Sequence, residues 1–333
     1  MPNDPGPPAQ LIALDWGTSS LRAYLIGGAG DILDRRAEPW GIMQVPPGGF
    51  AACFDTIAFR WRARWRLLPA LAAGMIGSAQ GWVEAPYCPC PAGTAELAAG
   101  LVPVAGANLW IVPGVVQGRA AADTGSARPD VMRGEETQIA GALALRPTLH
   151  KASRLVMPGT HCKWVDIADG RIVRFATYMT GEVFAVLRQH SILGRLAPAD
   201  APPPSPDSAA FLHGVDTARD AAAGVASLLF SARARVLTGR MPAADSLDYL
   251  SGLLIGDEMR SALHWPSGMA AETGLPLTII GDPALAARYR NALARFGVAQ
   301  VDVLEDTAPA GLWHIAAAAG LLGAAHPPSG IAG

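Results

Sequence analysis

The sequence predicts an α/β chain of two domains, each opening on the same meander of three strands. Three observations carry this. At roughly 150 residues per domain, 333 residues make about two domains. Half of the chain is hydrophobic and only 16% is charged, enough apolar material for two cores. Finally, a strand, a small-residue turn and two further strands occur twice, about 145 residues apart.

The first meander has a strand over 11–14, the turn Asp15-Trp16-Gly17-Thr18-Ser19-Ser20, and strands over 21–26 and 32–36. An amphipathic helix over 50–64, a strand over 70–73, a strand over 108–113 and a helix over 134–145 complete the first half. The second meander has strands over 154–157, 164–167 and 171–177, with Asp169-Gly170 as its hairpin signal. Helices are expected over 181–190, 208–229 and 247–263, with a Pro-rich loop over 198–206. A strand over 277–280, a helix over 284–296, a strand over 301–304 and a helix over 311–322 close the chain. The expected domains are therefore 10–148 and 149–326, after a disordered leader over 1–9, with the final helix packing back across the domain junction.

Composition excludes several classes. The net charge of −2 and pI near 6.4 supply no field toward nucleic acid or an anionic membrane. The first nine residues lack the regions of a signal peptide, and the longest apolar stretch, 315–325, is short of the roughly 18 residues of a spanning helix. Four cysteines without a CxxC pair point to a reduced cytoplasm, and Cys88-Pro89-Cys90 alone cannot make a tetrahedral zinc site. The basic-aromatic run over 59–66 reads as a helix end with solvated arginines and buried Trp61 and Trp65. Exposed tryptophans would mark a surface for a homo-oligomer.

Chemistry concentrates in the turns. Gly17 allows a sharp bend, so that the N–H groups of Thr18, Ser19 and Ser20 converge on an anion, and Asp15 at the strand end suits a hydrated Mg²⁺. The second turn repeats the core as Gly159-Thr160, with His161 a donor and Lys163 a point charge toward phosphates. Glu135 and Glu136, at a predicted helix start, are either dipole-favoured caps or a general base, with Glu136 ahead of Glu135. Gly74-Met75-Ile76-Gly77-Ser78, at a strand end, suits close approach of a small polar substrate, and Arg133 or Arg22 a bidentate carboxylate. There is no GxGxxG, Walker A or GxSxG sequence.

Several strings point further: LDWGTSSLRAYL, AAGMIGSAQGWVEAPY, VMRGEETQIAGALAL, VMPGTHCKWV, YMTGEVFAVLRQHSILG and SGLLIGDEM. Together with IIGDPALAARYRNAL they resemble the 2-dehydro-3-deoxygalactonokinase family within the actin-like ATPase superfamily. The resemblance implies two duplicated ribonuclease-H-like domains with a cleft between them. It also implies an ATP- and Mg²⁺-dependent kinase acting on the 6-hydroxyl of 2-dehydro-3-deoxy-D-galactonate, a small-molecule sugar acid. A related 2-keto-3-deoxy or aldonic acid, or an exopolyphosphatase-type hydrolysis, stays as the alternative. By the same resemblance, adenosine would lie at Gly252, Gly281 and Asp282. The second turn has Met157-Pro158 where many relatives carry Asp, leaving Asp15 as the main metal carboxylate.

Overall fold

A computed structural model describes residues 8–118, 128–198, 205–264 and 275–322. Most of the expected leader lies outside them. In chain order the elements are β1 (Ala9–Trp16), β2 (Leu21–Gly27), β3 (Ile32–Glu38), α1 (Gly49–Arg64), β4 (Ala70–Ala73), β5 (Tyr87–Pro89), α2 (Thr94–Ala99), β6 (Val102–Val104), β7 (Leu109–Ile111), β8 (Gly114–Gln117), β9 (Asp130–Met132) and α3 (Glu135–Leu145). There follow β10 (Ala152–Met157), β11 (Cys162–Ala168), β12 (Arg171–Tyr178), α4 (Thr180–His190), α5 (Ala209–Asp220), α6 (Ser231–Leu237), α7 (Ser246–Leu263), β13 (Leu277–Ile280), α8 (Pro283–Arg295), β14 (Asp302–Leu304) and α9 (Ala308–Ala318). No helix among the described residues is long and apolar enough to cross a membrane.

The chain forms two compact units, one of residues 1–151, 167–174 and 306–333, the other of 152–166 and 175–305. In the first, a six-stranded sheet runs β3-β2-β1-β4-β7-β6. Strands β1, β2 and β3 are antiparallel neighbours, while β4 and β7 run parallel to β1. β1 and β2 are almost wholly buried and read as apolar runs, as strands covered on both faces must. The edge strand β3 carries Asp34, Arg35, Arg36 and Glu38, charges that discourage edge pairing. Helix α1 buries Cys53, Phe54, Ile57, Ala58 and Trp61, one helical face, in the same core as Trp16. Trp61 is buried as expected, whereas Trp65 is only partly so.

The sheet of the second unit has the order β12-β11-β10-β13-β14, with β13 parallel to both β10 and β14 and with residues 167–174 of the β11–β12 hairpin grouped with the first unit. The connections β10–β11 and β11–β12 are too short for a crossover, so these strands form antiparallel hairpins. Each unit thus holds the same order: three meandering strands in reverse, then two parallel ones. That is the expected ribonuclease-H-like duplication.

Three expectations need correction. The closing helix α9 belongs to the first unit, where it packs on α3 and β1, rather than to a domain spanning 149–326. Its crossing with α3 is tight because a Cβ at Gly141 would overlap the Thr307 carbonyl oxygen, and one at Gly311 that of Thr137. The single helix expected over 208–229 ends at Asp220, and Ala221 is extended. None of the described tryptophans is exposed, so the exposed apolar side chains are others, including Phe59, Leu67, Phe230 and Leu237.

Candidate active site

In the first unit, β1 and β4 are parallel, with Asp15 in register with Ala73. The turns leaving their carboxyl ends therefore lie side by side, where open α/β sheets place ligands. Asp15 is a partly exposed carboxylate 3.8 Å from Arg22, its partner across the β1–β2 hairpin. Burial, with Asp306 adding to it, outweighs Arg22 and raises its pKa above the ordinary carboxylate value. Arg22 stays largely exposed in this pairing.

The Gly17 N–H closes the turn on the Ser20 carbonyl at 2.9 Å, leaving Thr18 and Ser19 exposed at its tip. Gly17 is not among the positive-φ residues, so the bend is made without a left-handed glycine. A Cβ there would touch only the Ser20 oxygen, at 3.8 Å, so glycine leaves open space at that position, while Gly41 lies directly on the Thr18–Ser19 backbone.

Two other glycines are required by the backbone. Gly74 has φ +96°, and a Cβ on it would lie 2.9 Å from the Trp16 oxygen and 3.7 Å from Asp15 Oδ1. Gly134 has φ +107°, and its Cβ would lie 3.2 Å from Gly74 Cα. Three loops, 15–20, 74–78 and 133–136, therefore converge. Within the second loop Ile76 is fully buried in the core, so it anchors the loop and does not face a ligand, and Met75 packs against the same core.

Arg133 is held at this junction with spare capacity. Its Nη2 donates to the Ala85 carbonyl at 2.8 Å, and its guanidinium stacks on Tyr87 at 4.3 Å from the ring centroid. Its Nε and Nη1 are buried without a hydrogen-bond partner, as is Ser78 Oγ. A Cβ on Gly77 would come within 3.0 Å of Nη1, so Gly77 makes room for the guanidinium. Buried donors without acceptors are costly and mark a place for an acceptor to bind.

The two carboxylates at the start of α3 differ sharply. Glu135 is half-buried and accepts the Arg133 backbone N–H at 3.0 Å. Glu136 is fully buried and accepts the Gly134 N–H at 2.7 Å and the Thr137 hydroxyl at 3.1 Å. Burial, reinforced by the neighbouring charge of Glu135, pushes the Glu136 carboxyl up to about 7.

In the second unit the turn after β10 carries Gly159, Thr160 and His161. Gly159, like Gly17, lacks positive φ and has open space where a Cβ would be, its nearest neighbour being the His161 oxygen at 4.0 Å. His161 Nε2 and Glu182 Oε2 are 2.5 Å apart. Lys163 is not presented to solvent as a point charge: it is 5% exposed, with Nζ donating to Thr177 Oγ1 at 2.6 Å. Its strand is buried on both faces, so no position on it looks outward.

Gly281, at the end of β13, lies beside Pro158 of that turn. Asp282 is the N-cap of α8, its Oδ1 accepting from the N–H groups of Ala284 (3.0 Å) and Leu285 (3.1 Å). Gly252 is not placed to meet a ligand. It lies buried in α7, where a Cβ would overlap the Phe211 carbonyl oxygen of α5.

Residues 15–315 match the family model described as 2-keto-3-deoxy-galactonokinase. The chain belongs to this family. Among relatives of the 2-keto-3-deoxy-galactonokinase family, it is 36% identical over 300 residues to the 2-dehydro-3-deoxygalactonokinase of Escherichia coli (strain K12), covering 90% of this chain and 94% of that one. It is 40% identical over 289 residues to a candidate enzyme of the same name from Rhizobium meliloti (strain 1021), covering 86% and 89%. A crystal structure of a candidate 2-dehydro-3-deoxygalactonokinase from Sinorhizobium meliloti superposes with a TM-score of 0.82 at 37% identity, over 92% of this chain and 98% of that one.

Sequence reasoning missed Tyr87, whose contact with Arg133 crosses 46 positions and left no local signal. It also assigned nothing to Thr180 and Glu258, although both fall in the family-like strings YMTGEV and SGLLIGDEM.

Proposed function

We propose that this chain transfers the γ-phosphoryl group of ATP to the 6-hydroxyl of 2-dehydro-3-deoxy-D-galactonate, giving the 6-phosphate and ADP. The observation that carries the reading is the trio of orphaned donors, Arg133 Nε and Nη1 and Ser78 Oγ, in a chain of this family. A substrate carboxylate and a neighbouring carbonyl or hydroxyl supply the acceptors these donors lack, one charge-assisted bond at each edge of the guanidinium, because Nε and Nη1 do not share an edge.

The bond-making step needs an acceptor for the proton of the attacking hydroxyl. Glu136 takes that role, since a carboxyl raised to about 7 is matched to neutral pH. The substrate oxygen attacks the γ-phosphorus, its proton passes to Glu136, and the bond from phosphorus to the bridging oxygen breaks as ADP leaves. Glu135 holds the Arg133 backbone and so ties the base to the substrate-binding cation.

The open spaces over Gly17 and Gly159 suit phosphate oxygens approaching backbone N–H groups. Asp15, a single partly exposed carboxylate at a strand end, suits Mg²⁺, which keeps most of its waters. Asp15 would hold that ion, and the ion would neutralise charge on the phosphates. Among the described residues all four cysteines are free thiols, which suits a metabolic kinase of the cytoplasm.

The test is a coupled ADP-release assay with ATP and Mg²⁺, with and without the sugar acid. ADP formed only with the acceptor is the expected result. ADP or phosphate released equally without it would replace the kinase by a hydrolase.

A further inference from the structure

Behind the 158–161 turn lies a buried polar cluster that the proposed chemistry does not use. Glu258, on α7, is 2% exposed. Its Oε1 accepts from Trp164 Nε1 at 2.7 Å. Its Oε2 accepts from the Tyr289 hydroxyl at 2.8 Å and from the Thr180 hydroxyl. A buried carboxylate tolerates its burial only when such donors surround it.

The Cys162 thiol also bonds this carboxylate, and the four donors differ in where they lead. Cys162, Trp164 and Tyr289 belong to the surrounding core. Thr180 is the first residue of α4, and α4 has no fully buried residue of its own. This helix meets the core only through the partly buried Phe184 and Leu187, in its later turns, and its N-terminal cap residue, Met179, makes no side-chain cap. Its first turn is held instead by Thr180 on Glu258 and by Tyr178 OH, 3.1 Å from Ser261 Oγ on the same helix α7.

That first turn in turn braces the Gly159-Thr160 loop. The Glu182 N–H donates to the Thr160 carbonyl at 3.0 Å. A Cβ on Gly181 would overlap the Gly159 carbonyl oxygen, so backbone lies directly on backbone. A chain of contacts thus runs from Glu258 through Thr180 and residues 181–182 to the loop.

We propose that Glu258 is a positioning residue for the donor nucleotide: acting through Thr180, it sets the conformation in which the Gly159-Thr160 turn receives ATP phosphates. This rests on reading that turn as a phosphate site. The role separates the two substrates, because the sugar-acid residues Arg133, Ser78 and Glu136 belong to the other unit.

The test is steady-state kinetics of the full chain, with ATP and sugar acid varied in turn, together with thermal melting. Thr180→Val removes the hydroxyl and keeps the shape. It is expected to raise the KM for ATP about tenfold, the equivalent of one hydrogen bond to a charged group. The KM for the sugar acid stays within about twofold, and Thr180→Ser restores the wild-type value. Tyr289→Phe removes another donor from the same carboxylate without touching α4, and is expected to lower Tm while leaving the KM for ATP unchanged.

If Thr180→Val does not fold, Glu258→Asp carries the same test, since it keeps the charge and draws the acceptor away from Thr180. An unchanged KM for ATP in a folded variant, or Tyr289→Phe raising both KM values as Thr180→Val does, overturns the inference. A wild type that turns over ATP with the sugar acid while Thr180→Val is normal overturns the inference alone. A wild type that makes no ADP overturns the reading of the turn and the inference with it.

Discussion

Glu136 is half-charged near neutral pH because its carboxyl has lost water and sits beside Glu135. Both causes can be tested by substitution. Glu136→Gln removes the proton acceptor, and kcat is expected to fall by about 10²–10⁴ with ATP affinity nearly intact. In the wild type kcat should climb with pH through about 7, because only the ionised carboxylate accepts a proton. Glu135→Gln removes a repelling charge, which favours ionised Glu136, so the acid limb of the kcat profile moves to lower pH. An unmoved limb would assign that titration to another group. Arg133→Ala should raise the KM of the sugar acid by about 30-fold or more, since a buried charged contact is lost; an equal rise for ATP would reassign the cation. That Asp15, Arg133 and Glu136 stand at the ends of apolar elements was legible in the sequence, because charge interrupts an apolar run. The inward turn of Lys163, the capping by Asp282 and the orphaned Ser78 hydroxyl were not, since each depends on where one side chain points.

Among elements, the α5–α7 pair shows how a packing residue imitates a binding one. Gly214, Gly252 and Gly256 bring the two helix backbones into contact. In the sequence, Gly252 within SGLLIGDEM resembles a ligand glycine, because a missing side chain looks the same whether a ligand or a helix fills the space. Gly252→Ala meets the Phe211 carbonyl, and backbone cannot swing aside as a side chain can. Overpacking costs about 1–3 kcal/mol, and the rigid partner puts this site at the upper end. Urea unfolding should show that loss with the KM for ATP unchanged, whereas a raised KM at unchanged stability would return Gly252 to the ligand. Strand β13 stands at the residues the sequence indicates, and α1, α3, α7 and α8 are within a residue or so at each end, because each carries a long apolar pattern. The helix expected over 208–229 failed for a physical reason. Val225, Leu228, Leu229 and Ala232 continue the apolar pattern of α5 by packing on the same cluster, although the backbone between has left the helix. The sheet β5-β8-β9 went unread because its short strands lack the uninterrupted apolar run that marks β4 and β13.

At the scale of the molecule, the duplication was visible as two meanders and the last helix was expected to pack back across the domain junction, but the expected domain bounds left it with the second half. An apolar helix at the end of a chain fits either core, and only its glycine crossing with α3 decides. The duplicated architecture also buries a carboxyl group in each unit, Glu136 in the first and Glu258 in the second, and half-buries Asp15 in the first. Burial raises the pKa of all three above the unfolded value. Between the unfolded and folded values the native chain holds the extra protons, so stability falls as pH rises through that window and levels off above it. For Glu136 the window runs from 4.5 to about 7. Its width corresponds to about 3 kcal/mol, at 1.36 kcal/mol per unit. His213 opposes this, because its lowered pKa makes the native chain hold fewer protons, but only below its ordinary value of 6.5. Asp216, lowered by Arg295, acts only at or below the ordinary carboxylate range. The comparison of wild type with Glu136→Gln cancels both. Urea midpoints measured at pH 5.5 and pH 8 should show the wild type losing more stability with rising pH than the variant, which carries no proton at that site to lose. Equal losses in the two proteins would mean that Glu136 ionises in the native chain without penalty, and would remove the basis for its action near neutral pH.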